Sequence, residues 1–214
     1  MFKQKPRLDP LNYNSSALND LEIKRAINTK LLNDRDLSNS ILEGIDFTGV
    51  DLTNVAFEDS IIRECVFKDQ RFSTDLFTNT SIEDCTFIDC KFEDLTFDGP
   101  YQSRNKFYSC EFSEVSFEAL TMCYMLFNEC HFTNIQFHCN LMTEPDFTNC
   151  SFEEVEFNSV EILSGVFRDN QFKSLRFHAS IIRFPDFDGC MIKGNWLRST
   201  SLIDPRFILC TFKD

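Results

Sequence analysis

Residues 107–132 read FYSCEFSEVSFEALTMCYMLFNECHF, with Phe107, Phe112, Phe117, Met122, Phe127 and Phe132 spaced five apart. Worked outward, the spacing takes in most of the chain. Of the 25 Phe residues, 23 have numbers ending in 2 or 7, from Phe47 to Phe212, and only Phe2 and Phe184 fall elsewhere. Chance would place roughly five there, so an internal repeat is the first fact to read. The other lattice members are Leu32, Leu37, Leu42, Leu52, Ile62, Ile82, Met122, Met142, Ile162, Ile182, Ile192, Leu197 and Leu202, with Gln102 the one polar break. A period of five matches neither the 3.6 of a helix nor the 2 of a strand. It needs a chain that turns a corner at every fifth residue, and the unbroken register leaves no room for a loop.

Two further periods define the cross-section. Eight of the ten Cys stand two residues before a lattice member: Cys65, Cys85, Cys90, Cys110, Cys130, Cys150, Cys190 and Cys210. Val50, Val55, Val115, Val155, Val160, Ser40, Ser60 and Ser180 share that class. A slim residue paired with a large apolar one predicts that both point into a narrow interior. Every fourth lattice residue is non-aromatic, from Leu42 to Leu202, and the next is Phe from Phe47 to Phe207. One coil is therefore 20 residues with four unlike sides, and like residues stack on like in a solenoid.

Composition excludes several functions. The chain has 34 acidic and 21 basic residues, a net charge of −13. That opposes binding to nucleic acid or to an anionic membrane surface. No apolar run reaches the length of a membrane span. The opening MFKQKPRLDP lacks a secretory signal, and so many cysteines without export predict a reducing, cytoplasmic setting.

The units DFTGV, DLTNV, CKFEDL, CEFSEV and CSFEEV resemble those of the pentapeptide-repeat family, over about residues 37–214. The resemblance implies an all-β fold, a right-handed four-sided parallel β-helix of about nine coils, roughly 40 Å long at the strand spacing. Residues 1–15 are expected to be a flexible tail and residues 16–36 an N-terminal cap, part helical.

No catalytic constellation is apparent. His131, His138 and His178 lie in no triad or metalloprotease context, and His138 and His178 are two coils apart, roughly 10 Å. The cysteine spacings are those of the coil rather than of a zinc site. Paired acids such as Glu58-Asp59 and Glu153-Glu154 project from a convex surface, where no cleft aligns them for acid–base work. With 6 Gly there is no phosphate-binding loop. The expectation is a protein that is not an enzyme and holds no metal or cofactor.

The surface carries the functional candidates. Two residues after each lattice member the side chain should face solvent. One such column contains Asp69, Asp89, Glu129 and Asp169, and the adjacent face contains Asp94, Glu114 and Glu154. These columns are either a solvated surface that keeps the protein soluble or a partner-binding surface. The Qnr and MfpA members of the family are acidic rods that bind DNA gyrase or topoisomerase IV in place of DNA. The resemblance thus implies a DNA mimic engaging a type II topoisomerase, as in quinolone resistance. The alternative is a scaffold or effector-type interaction module with another partner, using Tyr108, Tyr124, Leu163 and Phe184 as anchors. Apolar residues off the lattice near the C-terminus, Phe184, Trp196, Ile203, Ile208 and Leu209, are candidates for a homodimer joining C-terminal ends.

Overall fold

The computed structural model describes Thr29, Leu32 and residues 36–73, 76–118, 120–138, 140–193 and 197–213. The expected tail lies outside these residues, as does nearly all of the expected cap. The described chain is a parallel β-solenoid. Every strand pairs with the one 20 residues further on, from Ile41↔Ile61 to Ile192↔Phe212. Sheets of nine, eight and nine strands result. The first runs from Ile41–Glu43 to Ser201–Ile203 and the second from Val66–Lys68 to Arg206–Ile208. The third contains the long strands Lys91–Phe97, Glu111–Glu118, His131–His138, Ser151–Asn158 and Gln171–His178, each of which bends round a corner and covers two sides of its coil. Three sheets therefore serve four five-residue sides.

The lattice fills the interior. From Phe47 to Phe207 one column of rings stacks face to face, with Phe87–Phe107, Phe107–Phe127 and Phe127–Phe147 all at 4.8 Å between centroids. Neighbouring columns meet edge to face, as in Phe67–Phe72 at 5.6 Å and 79°. Both arrangements suit the ring quadrupole, each worth about 0.5–1.5 kcal/mol beyond area burial. The strand repeat sets the stacking distance, which is why one residue type can recur without strain.

The slim positions do more than fill space. Where they are polar, their side chains donate inward to the carbonyl of a lattice residue one coil back: Ser60 Oγ to Leu37 O at 2.9 Å, Asn105 Nδ2 to Ile82 O at 2.7 Å, Asn140 Nδ2 to Phe117 O at 2.8 Å. The Cys thiols do the same, Cys130 Sγ reaching Phe107 O at 3.5 Å. Burial pushes the Cys190 thiol up to about 12. Contact with the sulfur next in the column, then burial, raises Cys85, Cys90 and Cys130, while the same sulfur contacts lower their neighbours Cys65 and Cys110. The one corner lying inside the long strands carries Leu95, Val115, Ile135, Val155 and Leu175 instead. There the continuous sheet already serves the backbone, so no donor is needed.

Gln102, the polar break, has a local cause. Gly99 packs so tightly that a Cβ would lie 1.9 Å from the carbonyl oxygen of Thr80. Gln102, itself buried, donates from Nε2 to that same oxygen at 2.9 Å.

Candidate functional site

A chain that turns every fifth residue must change its backbone conformation there. Every described residue numbered with a final 4 or 9 from Asn39 to Leu209, Gly99 excepted, has a positive φ. This left-handed region suits Gly, Asn and Asp and disfavours bulky side chains. All seven acidic candidates occupy such corners: Asp69, Asp89, Glu129 and Asp169 on one, Asp94, Glu114 and Glu154 on the next. All seven are exposed. The backbone beneath them is fixed, since the N–H groups of Asp69, Asp89 and Glu129 each donate to a carbonyl of the next coil at 3.0 Å. Side chains in one column thus stand one above another at the coil repeat.

Ion pairing separates these seven from eight other acids. Arg104 grips Asp84 through two bonds of 2.6 Å, Lys91 meets Glu111 at 2.5 Å, and Arg176 meets Glu156 at 2.8 Å. Lys173 binds Glu153 in the same coil-to-coil manner. Hydrogen bonds from Arg104, and then its charge, hold the Asp84 carboxyl below its ordinary value. Among the described residues, none of the seven candidates has a cationic partner. Ser109 Oγ touches Glu129 Oε2 at 3.5 Å. Asp169 closes its column: its Oδ1 lies 2.2 Å from where a Cβ of Gly189 would be, so a larger residue at 189, where φ is +63, would make that carboxylate swing aside.

The apolar candidates divide. Phe184 is an exposed corner residue with φ 53. Ile203 and Ile208 are half-buried on two sides of the last coil, and Leu209 is 85% exposed at its corner. Trp196 lies outside the described residues. The lattice residues Leu197, Phe207 and Phe212, which point inward in every earlier coil, are exposed here because no described coil covers them. They belong with the apolar end, and reading them only as core members overlooks them.

Among the described residues no three His, Cys, Asp or Glu side chains converge, and no helix is long and apolar enough to cross a membrane. His138 and His178 flank Asn158 in register, two strands apart. Of the anchors for a scaffold, Tyr124 and Phe184 are each 52% exposed, Tyr108 is 36% exposed and Leu163 is half-buried.

No curated protein matches the chain in sequence. Among solved structures, a trypsin-treated QnrB1, a plasmid-mediated fluoroquinolone resistance protein, is 15% identical with a TM-score of 0.47, over 80% of this chain and 88% of that one. Full-length QnrB1 is 13% identical with a TM-score of 0.33, over 69% and 93%. HetL, involved in heterocyst differentiation regulation in the cyanobacterium Nostoc, is 10% identical with a TM-score of 0.35, over 86% and 93%. The family model of pentapeptide repeats matches in eight copies, at residues 32–69. The register of that segment runs on without a slip to Phe212, and the chain carries pentapeptide repeats within one continuous solenoid.

Proposed function

We propose that this solenoid works by presenting its unpaired acidic corners to the basic groove of a protein partner in the cytoplasm. The partner in this reading is a type II topoisomerase, DNA gyrase or topoisomerase IV, and the carboxylates stand in for DNA phosphates. The observation that carries it is the pair of neighbouring corner columns whose seven carboxylates have no cationic partners among the described residues. Asp69 and Asp169 are five coils apart, about 24 Å at the strand spacing, so the seven supply about one charge per 3.5 Å of axis, close to the 3.4 Å per phosphate of one DNA strand. Association driven this way is steered by charge and weakens with salt. The test is gyrase supercoiling with the purified protein, with and without a fluoroquinolone, at two salt concentrations. Salt-sensitive inhibition, or protection from the drug, that disappears when Asp69, Asp89, Glu129 and Asp169 are changed to Lys supports the reading. An unchanged effect in that variant refutes it.

A second reading, an interaction scaffold with another partner, is favoured by Tyr124 and Phe184. Bulky residues at φ 55 and 53 carry a conformational cost of about 1–2 kcal/mol each. At 52% exposure, burial within the chain offsets little of it. Binding through these rings would be weakly salt-dependent, which separates the two readings in one experiment. In either case the exposed apolar end, with Phe207, Leu209 and Phe212, is proposed to pair with that of a second copy.

A further inference from the structure

Charge is partitioned along the solenoid. Residues 36–160 contain 24 acids and 6 bases, whereas residues 161–214 contain 8 bases and 6 acids. The acidic columns lie mainly in the first stretch, and neither reading above uses the basic residues of the second. In the basic stretch a cleft of about 730 Å³ opens on the side formed by the ends of the long strands. Its walls include Glu156, Asn158, Arg176, His178, Leu197 and Arg198. The volume is within the usual range for a small-molecule site.

Parallel in-register pairing builds this wall. Asn158 pairs with His178, and His178 with Arg198, so an amide, an imidazole and a guanidinium stand on three successive strands about 4.8 Å apart. The next column pairs Glu156 with Arg176, whose ion pair of 2.8 Å cancels the one carboxylate in the cleft. Among the described residues, Arg198 and His178 have no side-chain hydrogen bond or ion pair within the chain, and both are exposed. The cleft therefore presents a free guanidinium fork, an imidazole and an amide beside a neutralised pair. Leu197, 37% exposed, adds an apolar wall. On the neighbouring side Lys193 and Lys213 stack in register, also without an ion pair among the described residues, and raise the local positive potential.

We propose that this cleft binds a small organic phosphate. Arg198 takes two phosphate oxygens through its planar fork, His178 and Asn158 donate to the remaining oxygen, and the organic part lies against Leu197. A guanidinium matches a phosphate bidentately, which an ammonium cannot do, and such charge-assisted bonds are about twice as strong as neutral ones. The overall negative charge does not prevent this, because charges more than about 8–10 Å away are screened at ordinary ionic strength. Concavity favours a small ligand over a macromolecular anion, which would need a broad convex or flat contact.

The test is calorimetric titration of the full chain with adenosine 5′-monophosphate and, separately, with inorganic phosphate, ionic strength being matched with chloride. Saturable one-site binding of the nucleotide, weakened at least about tenfold in Arg198→Gln and unaffected in Lys68→Gln on another side, is the expected result. Circular dichroism of Arg198→Gln should match the parent, because its side chain makes no bond within the described fold. Three results would overturn the proposal. One is the absence of saturable binding of either probe up to about 10 mM, weaker than any useful affinity. Another is equal affinity in Arg198→Gln. The third is a salt-sensitive oligomer that Arg198→Gln abolishes, which would assign these cations to the acidic corners of a second copy.

Discussion

Replacing Asn170 by Val tests whether the slim interior positions are filler or hydrogen-bonding devices. Asn170 is 1% exposed. Its Nδ2 donates to Phe147 O at 2.8 Å, and its Oδ1 accepts from Cys150 N at 2.7 Å. Valine occupies the same class of position at Val50 and Val160 and is buried there, so it fits sterically. What the change removes is the partner of one buried carbonyl and one buried N–H. Each group left unsatisfied costs about 1–3 kcal/mol, and relief from burying the amide offsets part of that, leaving a loss of about 2–4 kcal/mol. At roughly 2–4 °C per kcal/mol for a domain of this size, the thermal midpoint should fall by about 5–15 °C. Asn170→Cys should recover part of the loss, because a thiol restores the donor to Phe147 O, as Cys130 does for Phe107 O, and a weaker acceptor for Cys150 N, as Cys85 Sγ does for Cys65 N at 3.4 Å. The measurement is thermal unfolding followed by circular dichroism and calorimetry on all three proteins. The reasoning fails if Asn170→Val melts at or above the parent, since the column would then be a matter of volume alone.

Other outcomes follow from the same geometry. Gly189→Ala should destabilise by about 1–3 kcal/mol, through its positive φ and the clash with Asp169; adding Asp169→Ala should recover part of the loss in a double-mutant cycle read by urea unfolding. Changing Asp69, Asp89, Glu129 and Asp169 to Lys should leave the circular dichroism spectrum unchanged, because these side chains contact solvent rather than core. Arg104→Gln should matter least in acid: the Asp84 carboxyl is held below its ordinary 3.8, so the pair's contribution is complete above that pH and disappears as pH falls through the lowered value. Urea midpoints of parent and variant should therefore converge between pH 6 and pH 2. Ile208→Lys should give a monomer in light scattering if the apolar ends pair, and a mass already monomeric in the parent would dismiss that pairing.

The architecture was legible because one constraint repeats. A lattice residue that slipped by one would turn its ring to solvent, so Phe47 to Phe207 announce the inward direction and the 20-residue coil together. The donor role of the slim column was not legible. Cys, Ser, Asn and Val share that class and are alike in volume, and only the folded chain reveals that the corner lined by Leu95 to Leu175 lies within a continuous sheet while the others do not. The exposure of the acidic candidates was legible from their offset of two from the lattice. Their freedom from ion pairs was not, because it depends on which base stands one coil away: Asp84 and Asp89 look equivalent in sequence, yet Arg104 stacks on the first and Ser109 follows the second in its column.

The corner conformation also bears on what counts as a functional signal. Aspartate at a left-handed corner is partly explained by the backbone, since Asp and Asn tolerate positive φ. Asp69, Asp89, Asp94 and Asp169 are thus ambiguous, serving the turn whether or not a partner exists. Glutamate has no such preference, and Asn or Gly would satisfy the turn at Glu114, Glu129 and Glu154 at lower conformational cost. These three extend the unpaired negative column where the fold does not ask for it, just as Tyr124 and Phe184 place rings where the fold disfavours them. The glutamates and the two rings are on different corners, so they face different partners or different parts of one. Replacing each group with Asn, at no expense to the turn, separates the two surfaces: loss of binding with the glutamates points to charge recognition, and loss with the rings points to an apolar contact.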